Sequence, residues 1–143
     1  MRKLSILLAF LSISLFYSCT TSNSNAQTAT IELQESTTAK NIPAKDFQQI
    51  IKTKENAIIL DVRTPKEVAA GHLVNAIHID YYDPDFKIKV SKLDMTKPIL
   101  IYCHSGRRSG IAMSNLREMG FVEVYNLETG ILGWNSAGFP IEK

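Results

Sequence analysis

The chain has 143 residues, with 16 basic and 14 acidic side chains and two cysteines. Removing Arg2 and Lys3 with the leading segment described below brings the basic count level with the acidic one, so no net charge remains to draw nucleic acid or an anionic membrane surface. Of the two cysteines, Cys19 falls at the end of that segment and Cys103 is the only one in the folded part, which excludes an intramolecular disulfide there.

Met1-Arg2-Lys3 is followed by the apolar run Leu4 to Tyr17 and then Ser18-Cys19. A basic start and an apolar stretch too short to span a bilayer comfortably have the form of a secretion signal over residues 1–18. Leu15-Phe16-Tyr17-Ser18-Cys19 resembles the lipobox of bacterial lipoproteins, although Phe16 and Tyr17 are bulkier than the usual residues there. The resemblance implies acylation of Cys19 and an extracytoplasmic, periplasmic protein tied to the bacterial outer membrane. An ordinary signal cut after Ala26, with Cys19 discarded, is the other reading. Residues 19–40, rich in Thr, Ser, Asn, Gln and Ala and without apolar periodicity, read as a solvated tether.

The folded part is expected over residues 41–143, enough to bury a core without disulfide or metal. Four short runs have strand length and β-branched content: Ala57–Leu60, Ala76–Ile79, Ile99–Tyr102 and Val122–Tyr125. Helical stretches fall between them, at Ala44–Thr53, Pro65–Ala70, Phe86–Leu93 and Ser109–Met119, with a small closing helix around Trp134. Thr64-Pro65-Lys66-Glu67 combines a hydroxyl cap, a proline at the first helical position and a glutamate three residues after the cap, so it starts a helix; Gly120 stops one. Strands alternating with helices predict a three-layer α/β/α fold around a mainly parallel sheet of about five strands. Ligands bind such sheets beyond the carboxyl ends of the strands, here after Leu60, Ile79 and Tyr102.

The segment from Ile99 to Gly110 carries the chemistry, because a buried strand ends at Cys103 and a short polar loop turns into a helix. A loop that curls back into a helix start aims successive backbone N–H groups into one concavity, where they bind anions. Arg107 and Arg108 add positive potential, so the thiol of Cys103 is expected to ionise more readily than a free cysteine. His104, Ser105, Gly106, Arg107, Arg108 and Ser109 form the expected anion-binding loop. Ser105 and Arg108 fit loop-stabilising contacts as well as contacts to a substrate, and His104 reads as an exposed loop residue. Asp61 and Arg63 follow another strand and share the rim; either Arg63 adds to a cationic edge, or it pairs structurally with Asp61 or Glu67. His72 reads as packing and turn support.

Cys103 to Arg108, with Gly106 at the fourth position, is similar to the active loop of the rhodanese family. Leu60-Asp61-Val62-Arg63, Glu67 and Gly71-His72-Leu73 resemble that family's Asp-Val-Arg and Gly-His-Ile signatures, and Leu127 to Ile131 with Trp134 and Ala137 to Pro140 its closing signature. Asn75 and Thr129 stand where glycine is common. The resemblance covers residues 41–143. It implies a sulfurtransferase that takes the outer sulfur of a small anionic donor such as thiosulfate onto Cys103 and passes it, as a persulfide, to cyanide or a thiol. It calls for no metal or organic cofactor, and a lone small domain of this kind is expected to be a monomer.

Two rivals share this fold. A cysteine-dependent phosphatase or arsenate reductase needs an arginine six positions after the cysteine, where this chain has Ser109. A non-catalytic binding module typically lacks the nucleophile, which this chain retains.

Overall fold

The computed structural model describes residues 37–143. The expected signal segment, Cys19 and nearly all of the tether lie outside the described residues. Five parallel strands form the central sheet in the order β1-β6-β5-β2-β4: β1 (Thr38–Ile42), β2 (Ile58–Asp61), β4 (Ile77–His78), β5 (Ile99–Tyr102) and β6 (Glu123–Leu127). Of these, β5 is paired on both sides and buried along its whole length, which is why it reads as an unbroken apolar run rather than an alternation.

The period of two in β5 sorts its side chains between two cores. Ile99, Ile101 and Cys103 face one layer with Leu60, Val62, Phe86, Ala112 and Leu116. Leu100 and Tyr102 face the other, with Phe47, Leu73, Leu127, Ile131 and Trp134. The first layer is supplied by α3 (Phe86–Val90) and α4 (Arg107–Glu118), the second by α1 (Ala44–Thr53) and α5 (Gly130–Ser136). This is the three-layer α/β/α arrangement that the alternating pattern predicts.

The short α2 (Pro65–Val68) forms as its sequence dictates. The Thr64 hydroxyl accepts from the Glu67 N–H (3.4 Å), and the Glu67 carboxylate accepts from the Thr64 N–H (2.9 Å). A second sheet pairs β3 (His72–Leu73) antiparallel with β7 (Ile141–Glu142), closing the chain over the Trp134 core, where the indole N–H donates to Pro140 O (2.9 Å). His72 lies in this sheet, with Nε2 3.5 Å from Glu142 Oε2, in keeping with a supporting role.

Several boundaries differ from the expectation. Residues 38–40, assigned to the tether from their polar composition, pair with β6 from Thr38 onward. An edge strand is paired on one side only and can carry polar residues, so its pattern resembles a tether. The next helix after the cysteine begins at Arg107, two residues ahead of Ser109, because the loop is tighter than the sequence suggests.

Candidate active site

Cys103 is the first residue beyond β5, and α4 begins only after Gly106. Between them the carbonyl groups are tied outward. Cys103 O accepts from Ile131 N–H (2.9 Å) and His104 O from Leu132 N–H (3.2 Å), both in the first turn of α5. Gly106 O accepts from Gly110 N–H (2.9 Å), the Ser109 hydroxyl (3.2 Å) and Asn126 Nδ2 (3.1 Å). A peptide whose C=O points out of the loop points its N–H in, and the peptide of the tied His104 carbonyl accordingly presents the Ser105 N–H to the thiol, while Gly106 N–H donates to Cys103 Sγ at 3.2 Å.

Two glycines allow this approach. Gly106 has φ 88°, and a Cβ there would sit 1.9 Å from Glu128 O; Gly130 has φ 58°, and its Cβ would sit 2.4 Å from His104 O. Neither position accepts a larger residue without moving backbone.

Cys103 is 1% exposed. Burial by itself raises the thiol pKa, but the Ser109 hydroxyl and the N–H groups of Ser109, Ser105 and Gly106 outweigh it, and the thiol is held below its ordinary value. In the resting arrangement the Ser109 hydroxyl is directed to Gly106 O, so it serves the sulfur by rotating its proton inward. The sign is that of a group favouring its anion: the reactive thiolate fraction falls as pH drops through this depressed pKa. Alkylation of Cys103 by iodoacetamide is accordingly expected to titrate at lower pH than alkylation of free cysteine, and a midpoint at or above that of free cysteine contradicts the cradle.

Hydrogen bonds, and not the charges of Arg107 and Arg108, are thus the leading causes that lower the thiol pKa. Arg107 is exposed and lines an open cleft of about 670 Å³ with Asn41, Gly110, Asn126 and Glu128. Arg108 forms a two-pronged ion pair with Glu67, Nη1 lying 2.8 Å from Oε2 and Nη2 from the other carboxylate oxygen, and its guanidinium carbon lies 5.5 Å from the centre of the Tyr82 ring. His104 and Ser105 have exposed side chains, and Ser105 reaches the thiol through its backbone; Ser109 is buried.

Asp61 and Arg63 take the structural alternative. Arg63 is 3% exposed and donates from Nε (2.9 Å) and Nη2 (2.6 Å) to Asp61, with further bonds to Glu67 O (3.2 Å) and Gly71 O (2.8 Å). Asp61 also accepts from the Tyr102 hydroxyl (2.5 Å), which in turn accepts from Leu73 N–H (3.1 Å). Every prong of Arg63 is thus used under the sheet end, and none is left for a cationic rim. The Glu67 side chain pairs with Arg108, not with Arg63.

Asn126 was not singled out by its sequence, though a polar residue at an inward position of β6 is a signal in itself. It is 2% exposed and donates to Asn41 Oδ1 (2.8 Å) and Gly106 O (3.1 Å), while its own Oδ1 has no partner among the described residues. Retaining a buried amide with an unsatisfied oxygen makes sense if its two donors are what the loop needs. Asn126→Ala is expected to cost about 1–2 kcal/mol in urea unfolding and to raise the Cys103 pKa as Gly106 loses its anchor. An unchanged thiol titration removes Asn126 from the site.

Residues 43–137 match the family model of the rhodanese-like domain. The chain is similar to a sulfurtransferase of Allochromatium vinosum, 32% identical over 100 residues that cover 70% of this chain and 92% of that protein. It is likewise similar to the thiosulfate sulfurtransferase GlpE of Pseudomonas putida, 35% identical over 104 residues that cover 72% of this chain and 90% of that protein. Among solved structures, a rhodanese-related protein from Thermoplasma volcanium superposes with a TM-score of 0.64 at 31% identity, covering 72% of this chain and 97% of that one.

Proposed function

Since the chain belongs to the rhodanese-like domain family, with relatives named as sulfurtransferases, we propose that it carries a sulfane sulfur on Cys103 from a small anionic donor such as thiosulfate to cyanide or a thiol. The observation that carries this reading is the Gly106 N–H resting on Sγ within a loop whose Cys103, His104 and Gly106 carbonyls are bonded elsewhere.

In the first half-reaction the Cys103 thiolate attacks the outer sulfur of thiosulfate. The new S–S bond forms as the old one breaks, its electron pair leaves with sulfite, and Cys103 becomes an anionic persulfide. In the second, cyanide or a thiolate attacks the terminal sulfur, and the electron pair of the broken bond returns to Cys103. One negative charge on sulfur persists throughout, so fixed N–H donors stabilise every stage without reorganising. Ser109 supplies the adaptable donor, and Ser105 contributes its N–H. No proton has to be removed from the donor, which fits the absence of any role here for His104 as a base.

The mass of the intact protein after thiosulfate treatment tests this directly. Gain of one sulfur atom, reversed by cyanide and located on Cys103, is expected. Hydrolysis of aryl phosphate without such an adduct would instead support the phosphatase reading, and an unmodified thiol would support a docking module.

We further propose that the enzyme works outside the cytoplasm as a monomer held to the membrane through acylated Cys19, on the strength of the leading segment and its lipobox-like end. Cys19→Ala is expected to move it from the membrane fraction to the soluble periplasmic fraction; unchanged fractionation rejects the anchor.

A further inference from the structure

Arg107 and Glu128 carry opposite charges, are both exposed, and form no ion pair among the described residues, with each other or with a third group. Both adjoin Gly106, Arg107 as its neighbour in the chain and Glu128 across a contact so close that a Cβ on Gly106 would lie 1.9 Å from Glu128 O. Gly106 is also the residue whose N–H lies 3.2 Å from Cys103 Sγ. All three line one open cleft of about 670 Å³, together with Asn41, the exposed Ile111 and Ser105, whose N–H also serves the thiol. Arg63 and Arg108 are held by Asp61 and Glu67, so of the three arginines near the loop Arg107 is the one left to meet a ligand. Each charge of the cleft lacks a counter-ion, and a molecule that brings one of each sign supplies both.

We infer that this cleft is the subsite for the sulfur acceptor, and that the acceptor it selects is a small zwitterionic thiol whose carboxylate pairs with Arg107 and whose ammonium pairs with Glu128. This rests on the sulfurtransferase reading and refines its acceptor class. Cyanide fills little of such a cleft and uses only one of its charges, whereas a cleft of this volume suits a ligand of short-peptide size. Cys103 is not one of its walls and is almost wholly covered, so the acceptor is held beside the sulfur rather than over it. The sulfur to be transferred stands one bond further from the backbone than Sγ, and the acceptor's own thiol crosses the Gly106 wall to meet it. There the acceptor thiolate attacks the outer sulfur: an S–S bond forms between them, the bond to Sγ breaks, and its electron pair stays on Cys103. The charge that arrives with the acceptor thiolate leaves with the acceptor persulfide. Arg107 and Glu128 hold the two ends of the acceptor and set specificity without touching the reacting sulfurs.

The tripeptide Gly-Cys-Gly, offered with free ends, with an amidated C-terminus, with an acetylated N-terminus and with both ends blocked, keeps one thiol while removing each charge in turn. Cys103 is first loaded with sulfur from thiosulfate, and the second-order rate of its discharge to each peptide is followed by intact mass. Comparing peptides within one preparation cancels any general change in loop reactivity. In the wild type the free-ended form is expected to discharge the persulfide about tenfold faster than the doubly blocked one, each exposed ion pair contributing about threefold. Arg107→Gln should erase the gain from the free carboxylate and keep that from the free ammonium, and Glu128→Gln should do the reverse. Both gains should shrink as salt is raised. Free cysteine is the fifth acceptor: the same dependence on Arg107 and Glu128 places the amino acid among the acceptors, and dependence confined to the tripeptide restricts the subsite to peptides, either result upholding it. Equal rates for the four forms in the wild type, or the wild-type order kept in either variant, overturns the inference while leaving sulfur transfer intact. If no sulfane donor loads Cys103 in the wild type, it is the sulfurtransferase reading that fails.

Discussion

Cys103→Ser is expected to lower sulfur transfer by at least ~10³-fold, to background, with thiosulfate or any other sulfane donor. The substitution changes one atom at a position 1% exposed and keeps the Gly106 N–H a partner, so the loop should retain its shape. What it removes is the chemistry. A serine hydroxyl stays protonated across the working pH range, because the N–H groups that depress a thiol pKa cannot bring an alcohol within reach. An oxygen bound to sulfur is also not a carrier from which cyanide or a thiol recovers that sulfur in a reversible exchange. The check has two parts: steady-state transfer from thiosulfate to cyanide, and the intact mass after donor treatment. Transfer within tenfold of wild type, or a sulfur adduct on the serine variant, would mean that another group carries the sulfur.

Asp61→Ala is expected to destabilise the domain by about 3–5 kcal/mol, the cost of stranding a buried charge. Asp61 is wholly buried and receives Arg63 through the side chain and the backbone N–H, together with the Tyr102 hydroxyl. With the carboxylate gone, a guanidinium that is 3% exposed keeps only the carbonyls of Glu67 and Gly71, and the Tyr102 hydroxyl loses its acceptor. Stability of a domain this size is about 5–15 kcal/mol in total, so the variant should unfold at a far lower urea concentration with an unchanged slope. Asp61→Asn retains an acceptor for Tyr102 and should fall between the two. A loss under about 1 kcal/mol for Asp61→Ala would show that water reaches Arg63 and that the pair belongs to the surface after all.

The elements legible in the sequence are those in which local pattern and tertiary environment agree. Ile99–Tyr102 is apolar throughout because both of its faces are covered, and Ala44–Thr53 has helical spacing because one face meets Phe47's core; both were bounded to the residue. Thr64 to Glu67 carries its own cap, so its helix start was plain. The strand β1 was hidden because an edge strand tolerates polar residues, and β3 and β7 because two residues cannot display a period. At the site, the cysteine, the glycine and the helix start were visible as a loop. The pairing of Arg108 was not: its partner Glu67 lies on a different element, and charge in a sequence does not name its neighbour. Asn126 escaped for the same reason, since its importance lies in a carbonyl contributed by Gly106 across the sheet end.

The two N–H groups that hold the carbonyls of Cys103 and His104 belong to Ile131 and Leu132, far along the chain from the nucleophile. A ribosome that has already released Cys103 has therefore not yet made a reactive thiol, because the turn that orients its peptide groups is still to be synthesised. The incompletely folded polypeptide carries an ordinary cysteine until the helix bearing that turn docks. Chemical competence thus arrives only with the fold that buries the sulfur.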